Sequence, residues 1–65
     1  MSNLKNNLRL ILELQNIKQK DLAEKVHVKS QTINHYIFDQ RTPDVYMALQ
    51  IAHALGVKVE DIWLL

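Results

Sequence analysis

A single glycine and a single proline serve all 65 residues of the chain. A sheet of several strands needs tight turns between them, and tight turns draw heavily on those two residues. Little turn chemistry is left for a multi-stranded β fold, and the apolar residues show helical spacing instead. Leu8, Ile11 and Leu12 stand at i, i+3, i+4, with Leu4 one turn earlier, and Asn16 is a plausible stop; this is the first helix. Leu22, Ala23 and Val26 form one face of a short second helix beginning near Gln19, and Ile33, Tyr36 and Ile37 one face of a third beginning near Ser30. The clearest pattern is Ala48, Ile51, Ala52 and Leu55 in a fourth. Pro43 and Asp44 suit its entrance, and Gly56 suits a left-handed residue at its end. Val59, Ile62 and Trp63 make a last short helix, with Glu60 and Asp61 at the positive end of its dipole. Five short helices with short connections predict a compact all-α fold with steep crossings rather than a long bundle.

Size narrows the reading further. A chain this short buries only ~60% of the surface it exposes when unfolded, so its stability margin is thin. It has no cysteine, which excludes disulfides and thiolate metal sites, while a hydrophobic content of 48% argues against disorder. Neither a membrane span nor a signal peptide is visible, and the expectation is one soluble, cytoplasmic domain over residues 1–65. A second copy of the chain or a macromolecular ligand would supply the missing stability.

Net charge is +1, but it is unevenly spread. Residues 1–41 carry seven basic and four acidic side chains, a balance of +3; residues 42–65 carry one and three, a balance of −2. A basic front and an acidic back would turn the molecule face-first toward a polyanion.

The stretch from Gln19 to Tyr36 meets the demands of a helix-turn-helix, in which two helices cross steeply over a turn of about three to four residues. Ala23 is small where the second helix must cross. His27 and Val28 provide a residue that tolerates positive φ and then an apolar plug. Ile33 faces back into the crossing. The outer face of the second helix of this unit carries Ser30, Gln31, Thr32, Asn34 and His35, all neutral polar groups suited to base edges. No Lys, Arg, Asp or Glu occurs from Ser30 to Phe38, so the helix can approach an anionic groove without repulsion.

Residues 8–63 resemble the Cro/phage-repressor type of helix-turn-helix protein, the xenobiotic-response-element family. The matching strings run in order: 17–26 (IKQKDLAEKV), Gln31-Thr32-Ile33, Pro43, 48–57 (ALQIAHALGV) and Glu60-Asp61-Ile62-Trp63. The resemblance implies a lambda-repressor-like five-helix fold with its helix-turn-helix unit at about residues 19–38. It further implies sequence-specific binding of a double-stranded DNA operator, as a homodimer, for transcriptional repression; when bound, the protein would be nucleoid-associated. Ser30, Gln31 and His35 match the family's base-reading positions. Gln19 matches a phosphate contact that also braces the third helix. Thr32 and Asn34 flank the reading face, and Lys29, Gln40 and Arg41 border it as candidate phosphate contacts.

Several positions depart from the family pattern. Lys18 stands where a capping Ser, Thr or Asn is usual, and His27 replaces the turn glycine. Ile37 replaces an acidic residue, Asp39 a glycine, and Leu12 a basic residue that often touches phosphate. Ser30 has two competing roles: as the best side-chain cap for its helix it could not also read a base freely, whereas the family register places the cap at Lys29.

Other chemistries are disfavoured. His27, His35 and His53 fall in three elements without a second ligand at helical spacing, so no metal is expected. One glycine cannot build a phosphate-binding loop, and neither a cofactor nor catalysis is expected. The apolar surplus points to a partner surface: Trp63, Leu64 and Leu65 at the chain end, with Val45 and Tyr46, are the expected dimer contacts. Leu10 and Leu14, on the side of the first helix away from Leu8, are the competing patch. The alternative to DNA binding is a helical interaction module that keeps the fold alone.

Overall fold

A computed structural model describes residues 6–63 of the protein. Its helices are α1 (Leu8–Gln15), α2 (Gln19–Lys25), α3 (Ser30–Ile37), α4 (Val45–Leu55) and α5 (Val59–Ile62). Leu4, Leu64 and Leu65 lie outside the described residues.

Each helix sends one fully buried branched side chain to the centre: Leu8, Leu22, Ile33, Ile51 and Ile62. Around them close Leu12, Ala23, Val26, Tyr36, Ile37, Ala52 and Leu55. The i, i+3, i+4 spacing therefore places the core stripe correctly on all five helices. Ala48 departs from it, being only half-buried at the rim. Two departures from the family pattern also find their reason here. Leu12 and Ile37 stand where the family often carries charge, and both are buried at 4% and 2% exposure.

Four helices leave by the same device. In each, a residue in the left-handed region is followed by one whose N–H reaches back to a carbonyl five residues earlier, the Schellman arrangement. Asn16 (φ 60°), His27 (φ 61°), Asp39 (φ 58°) and Gly56 (φ 69°) are the left-handed residues. The closing bonds run from Ile17 to Leu12 (2.9 Å), Val28 to Ala23 (3.0 Å), Gln40 to His35 (2.9 Å) and Val57 to Ala52 (3.0 Å). After α1, α2 and α4 the closing residue is apolar and packs on the core. After α3 it is Gln40, which is exposed.

Helix entrances are less uniform. Asp44 caps α4 by accepting the Met47 N–H at 2.8 Å, and Asp61 reaches back to accept the Lys58 N–H at 3.0 Å. Lysines precede α2 and α3 at Lys18 and Lys29, and neither makes a side-chain cap. Lys29, not Ser30, holds the N-cap position of α3; Ser30 is its first helical residue.

The two ends of the described chain meet. The Asn7 N–H donates to the Ile62 carbonyl at 2.7 Å, and Asn6 pairs with Trp63 in an isolated antiparallel bridge. Trp63 is therefore not the last turn of α5, as its spacing suggested. It is extended (φ −110°, ψ 109°) because this bridge draws it out of the helix.

Candidate nucleic-acid interface

Helices α2 and α3 pack together more extensively than any other pair among the described residues. Ala23 and Ile33 are buried at their crossing at 2% and 0% exposure, and the half-buried Val28 plugs the turn behind His27. This is a helix-turn-helix unit held by three apolar side chains at the positions its geometry requires.

With Ile33, Tyr36 and Ile37 turned inward, α3 presents its other side. Ser30 and Gln31 are exposed there, and Thr32, Asn34 and His35 are half-buried. Buried Nδ1 of His35 has no hydrogen-bond partner among the described residues. Ser30 is free of the capping role that competed with base reading, because that position belongs to Lys29.

The loop after α3 is anchored to the helix and to the start of α1. The His35 carbonyl accepts the N–H groups of Gln40 (2.9 Å) and Arg41 (3.3 Å), which keeps both exposed side chains beside the end of α3. Asn6 completes the anchor. Its Nδ2 donates to the Tyr36 carbonyl at 2.9 Å and to Asp39 Oδ1 at 3.1 Å, while its Oδ1 accepts the Leu8 N–H at 3.0 Å. Asn6 carries no helical or motif signal, and sequence reasoning missed it. Lys29 lies exposed at the entrance of α3, and Gln19 half-buried in the first turn of α2.

A second surface is apolar. An open groove of about 400 Å³ runs between α4 and α5, lined chiefly by Pro43, Val45, Ala48, Leu49, Val59 and Trp63. Val45 (77% exposed) and Leu49 (55%) line it, and Tyr46 (68% exposed) follows Val45 in the first turn of α4 without lining it. Leu49 was not among the expected partner residues. Trp63 is half-buried and packs against the core, so it is less free than expected. Leu10 and Leu14 are both exposed on α1.

Helix-turn-helix geometry, an uncharged outward side on α3 and an anchored loop together match a class of DNA-binding domain. Comparison with known proteins agrees. A family model described as "Helix-turn-helix" matches residues 8–62. An uncharacterized HTH-type transcriptional regulator of Methanocaldococcus jannaschii is 39% identical over 61 residues, covering 94% of this chain and 92% of that protein. The chain belongs to the helix-turn-helix family of Cro/phage-repressor type, a family of DNA-binding transcription regulators. Among the described residues no helix is long and apolar enough to cross a membrane.

Proposed function

We propose that the protein is a transcriptional repressor that binds a palindromic operator as a homodimer, with α3 in the major groove. One observation carries the reading: the outward side of α3 is polar and uncharged, and the exit of that helix alone closes on a polar residue, Gln40, rather than an apolar plug. An exit turned to solvent merely for lack of core would not need the extra anchoring that Asn6 provides.

Gln31 pairs with a base edge, adenine being its natural partner, and Ser30 and His35 make more permissive base contacts. Gln19, Lys29, Thr32, Asn34, Gln40 and Arg41 hold phosphates. The lysine caps fit this arrangement: Lys18 and Lys29 leave the first N–H groups of α2 and α3 without a side-chain acceptor, and a phosphate oxygen can serve as one. The second copy docks through the groove between α4 and α5, with Val45, Tyr46 and Trp63, joined by Leu64 and Leu65. That groove is lined from Thr42 and Pro43, directly after Arg41; in the proposed dimer a two-fold axis beside it sets two α3 helices on one side of the duplex. Such a pair would meet successive major grooves about 34 Å apart. The protein then works in the cytoplasm, on the nucleoid when bound.

Selection from a randomised duplex pool, repeated at several salt concentrations, tests this reading. The expected product is an inverted repeat with half-sites roughly one helical turn apart, bound more weakly as salt rises. A pool that yields no motif at any salt would favour the interaction module that keeps only the fold.

A further inference from the structure

Phe38 has no place in the core and no assigned role. It is 47% exposed, while its neighbours Tyr36 and Ile37 are buried at 9% and 2%. It is the C-cap of α3: φ −98° and ψ 16° leave the helical region, but every residue of α3 before it is helical and its own N–H still donates to the Asn34 carbonyl at 3.1 Å. The direction of its side chain is therefore set by helical period. At roughly 100° per residue, Phe38 falls about 20° from Gln31, two turns further along the same stripe, with Asn34 and His35 between them. The buried stripe of Ile33, Tyr36 and Ile37 lies on the opposite side. A large apolar ring thus ends the row of polar groups that faces away from the protein.

Resting on the proposed DNA reading, we infer that Phe38 is a specificity-determining residue that contacts the C5-methyl group of a thymine. The methyl is the one apolar feature that a base pair displays in the major groove, and phenylalanine is a suitable partner for it. A phenyl ring offers phosphate nothing, and Phe38 has no hydrogen-bonding group to place against a cytosine or guanine edge. Operators with a thymine at the position opposite the end of α3 are therefore favoured over those with any other base.

The experiment uses the full chain and the duplex sequence enriched from the randomised pool, resynthesised with single thymines replaced by deoxyuridine. This removes one methyl and leaves base pairing intact. At one particular thymine of a half-site the single replacement should weaken binding roughly fourfold, the effect of ~0.8 kcal/mol per buried methylene-sized group at ~1.4 kcal/mol per tenfold. Phe38→Ala, which removes the ring from both subunits, should weaken binding to the thymine duplex by roughly the square of that factor and no longer distinguish thymine from uracil there; Phe38→Leu, which keeps an apolar contact, should still distinguish them. Equal affinity of the unaltered protein for every thymine and uracil duplex overturns the inference, as does full discrimination by a folded Phe38→Ala protein. A pool that enriches no sequence overturns the DNA reading itself, whereas an enriched sequence indifferent to every thymine methyl overturns only the role of Phe38.

Discussion

Gln31 and Asn6 are both uncharged amides, and their surroundings give them opposite tasks. Gln31 is exposed on α3, with its amide free to offer a donor and an acceptor together. Gln31→Ala is expected to lower affinity for the selected duplex by ~1–3 kcal/mol and leave affinity for a scrambled duplex nearly unchanged, as titration of both at one salt concentration will show. Equal losses on the two duplexes would move Gln31 from base reading to support of the fold. Asn6 is 6% exposed and spends its amide inside the protein. Asn6→Ala strands the Leu8 N–H and removes the donor to the Tyr36 carbonyl. The Tyr36 carbonyl keeps the Asp39 N–H at 3.3 Å, so only the Leu8 N–H is left unpaired; that costs ~1–3 kcal/mol, and the urea midpoint should fall by an amount equivalent to at least ~1 kcal/mol. An unchanged midpoint would mean that water replaces the amide without cost.

At the scale of elements, the exits of the helices matter most. Three of the four left-handed exit residues are not glycine, so the backbone there is held against its preference. His27 sits in the turn of the helix-turn-helix itself. His27→Gly relieves ~1–2 kcal/mol of left-handed strain and gives back ~0.5–1 kcal/mol through the freer unfolded chain. The variant should therefore be more stable by ~0.5–1 kcal/mol in urea denaturation. Gly56 provides the converse test. A Cβ built on it meets no atom within 4 Å, so Gly56→Ala introduces backbone strain and nothing else. It should destabilise by about 1 kcal/mol. If both substitutions left the midpoint unmoved, φ at these exits would not be limiting.

The proposed dimer needs both the polar face of α3 and the apolar groove between α4 and α5. Trp63 is an ambiguous probe of that dimer, because it packs on the core as well as lining the groove. Tyr46 is cleaner: at 68% exposure its loss removes little from the folded chain. Tyr46→Asp places a charge in the proposed interface, and buried unpaired charge is costly. The variant should sediment as a monomer at micromolar concentration and bind the selected duplex more weakly while keeping its helical content. Leu14→Asp, on the competing patch of α1, should leave the dimer intact. The reverse outcome would move the interface to Leu10 and Leu14.

What could be read from the sequence is what short-range physics controls. Helical period places Leu8, Leu22, Ile33, Ile51 and Ile62, because a buried stripe is written at intervals of three and four residues. The entrance at Asp44 and the exit at Gly56 are visible for the same reason, since caps involve residues only a few positions apart. The turn at His27 and Val28 and the uncharged face of α3 follow from local spacing alone. The rest depended on tertiary structure. Asn6 finds Tyr36 and Asp39 across 30 and 33 residues, and no periodicity in the chain connects them. Trp63 leaves α5 because Asn6 lies beside it, and that neighbour comes from the other end of the described chain. Ala48 shares the apolar spacing of α4 yet stays half-buried at the rim, a choice made by what packs over it. Sequence determines which side of each helix is apolar; only packing decides which apolar side chains are covered and which, like Phe38, Tyr46 and Leu14, are left facing outward, because burial is a property of the neighbours and not of the residue.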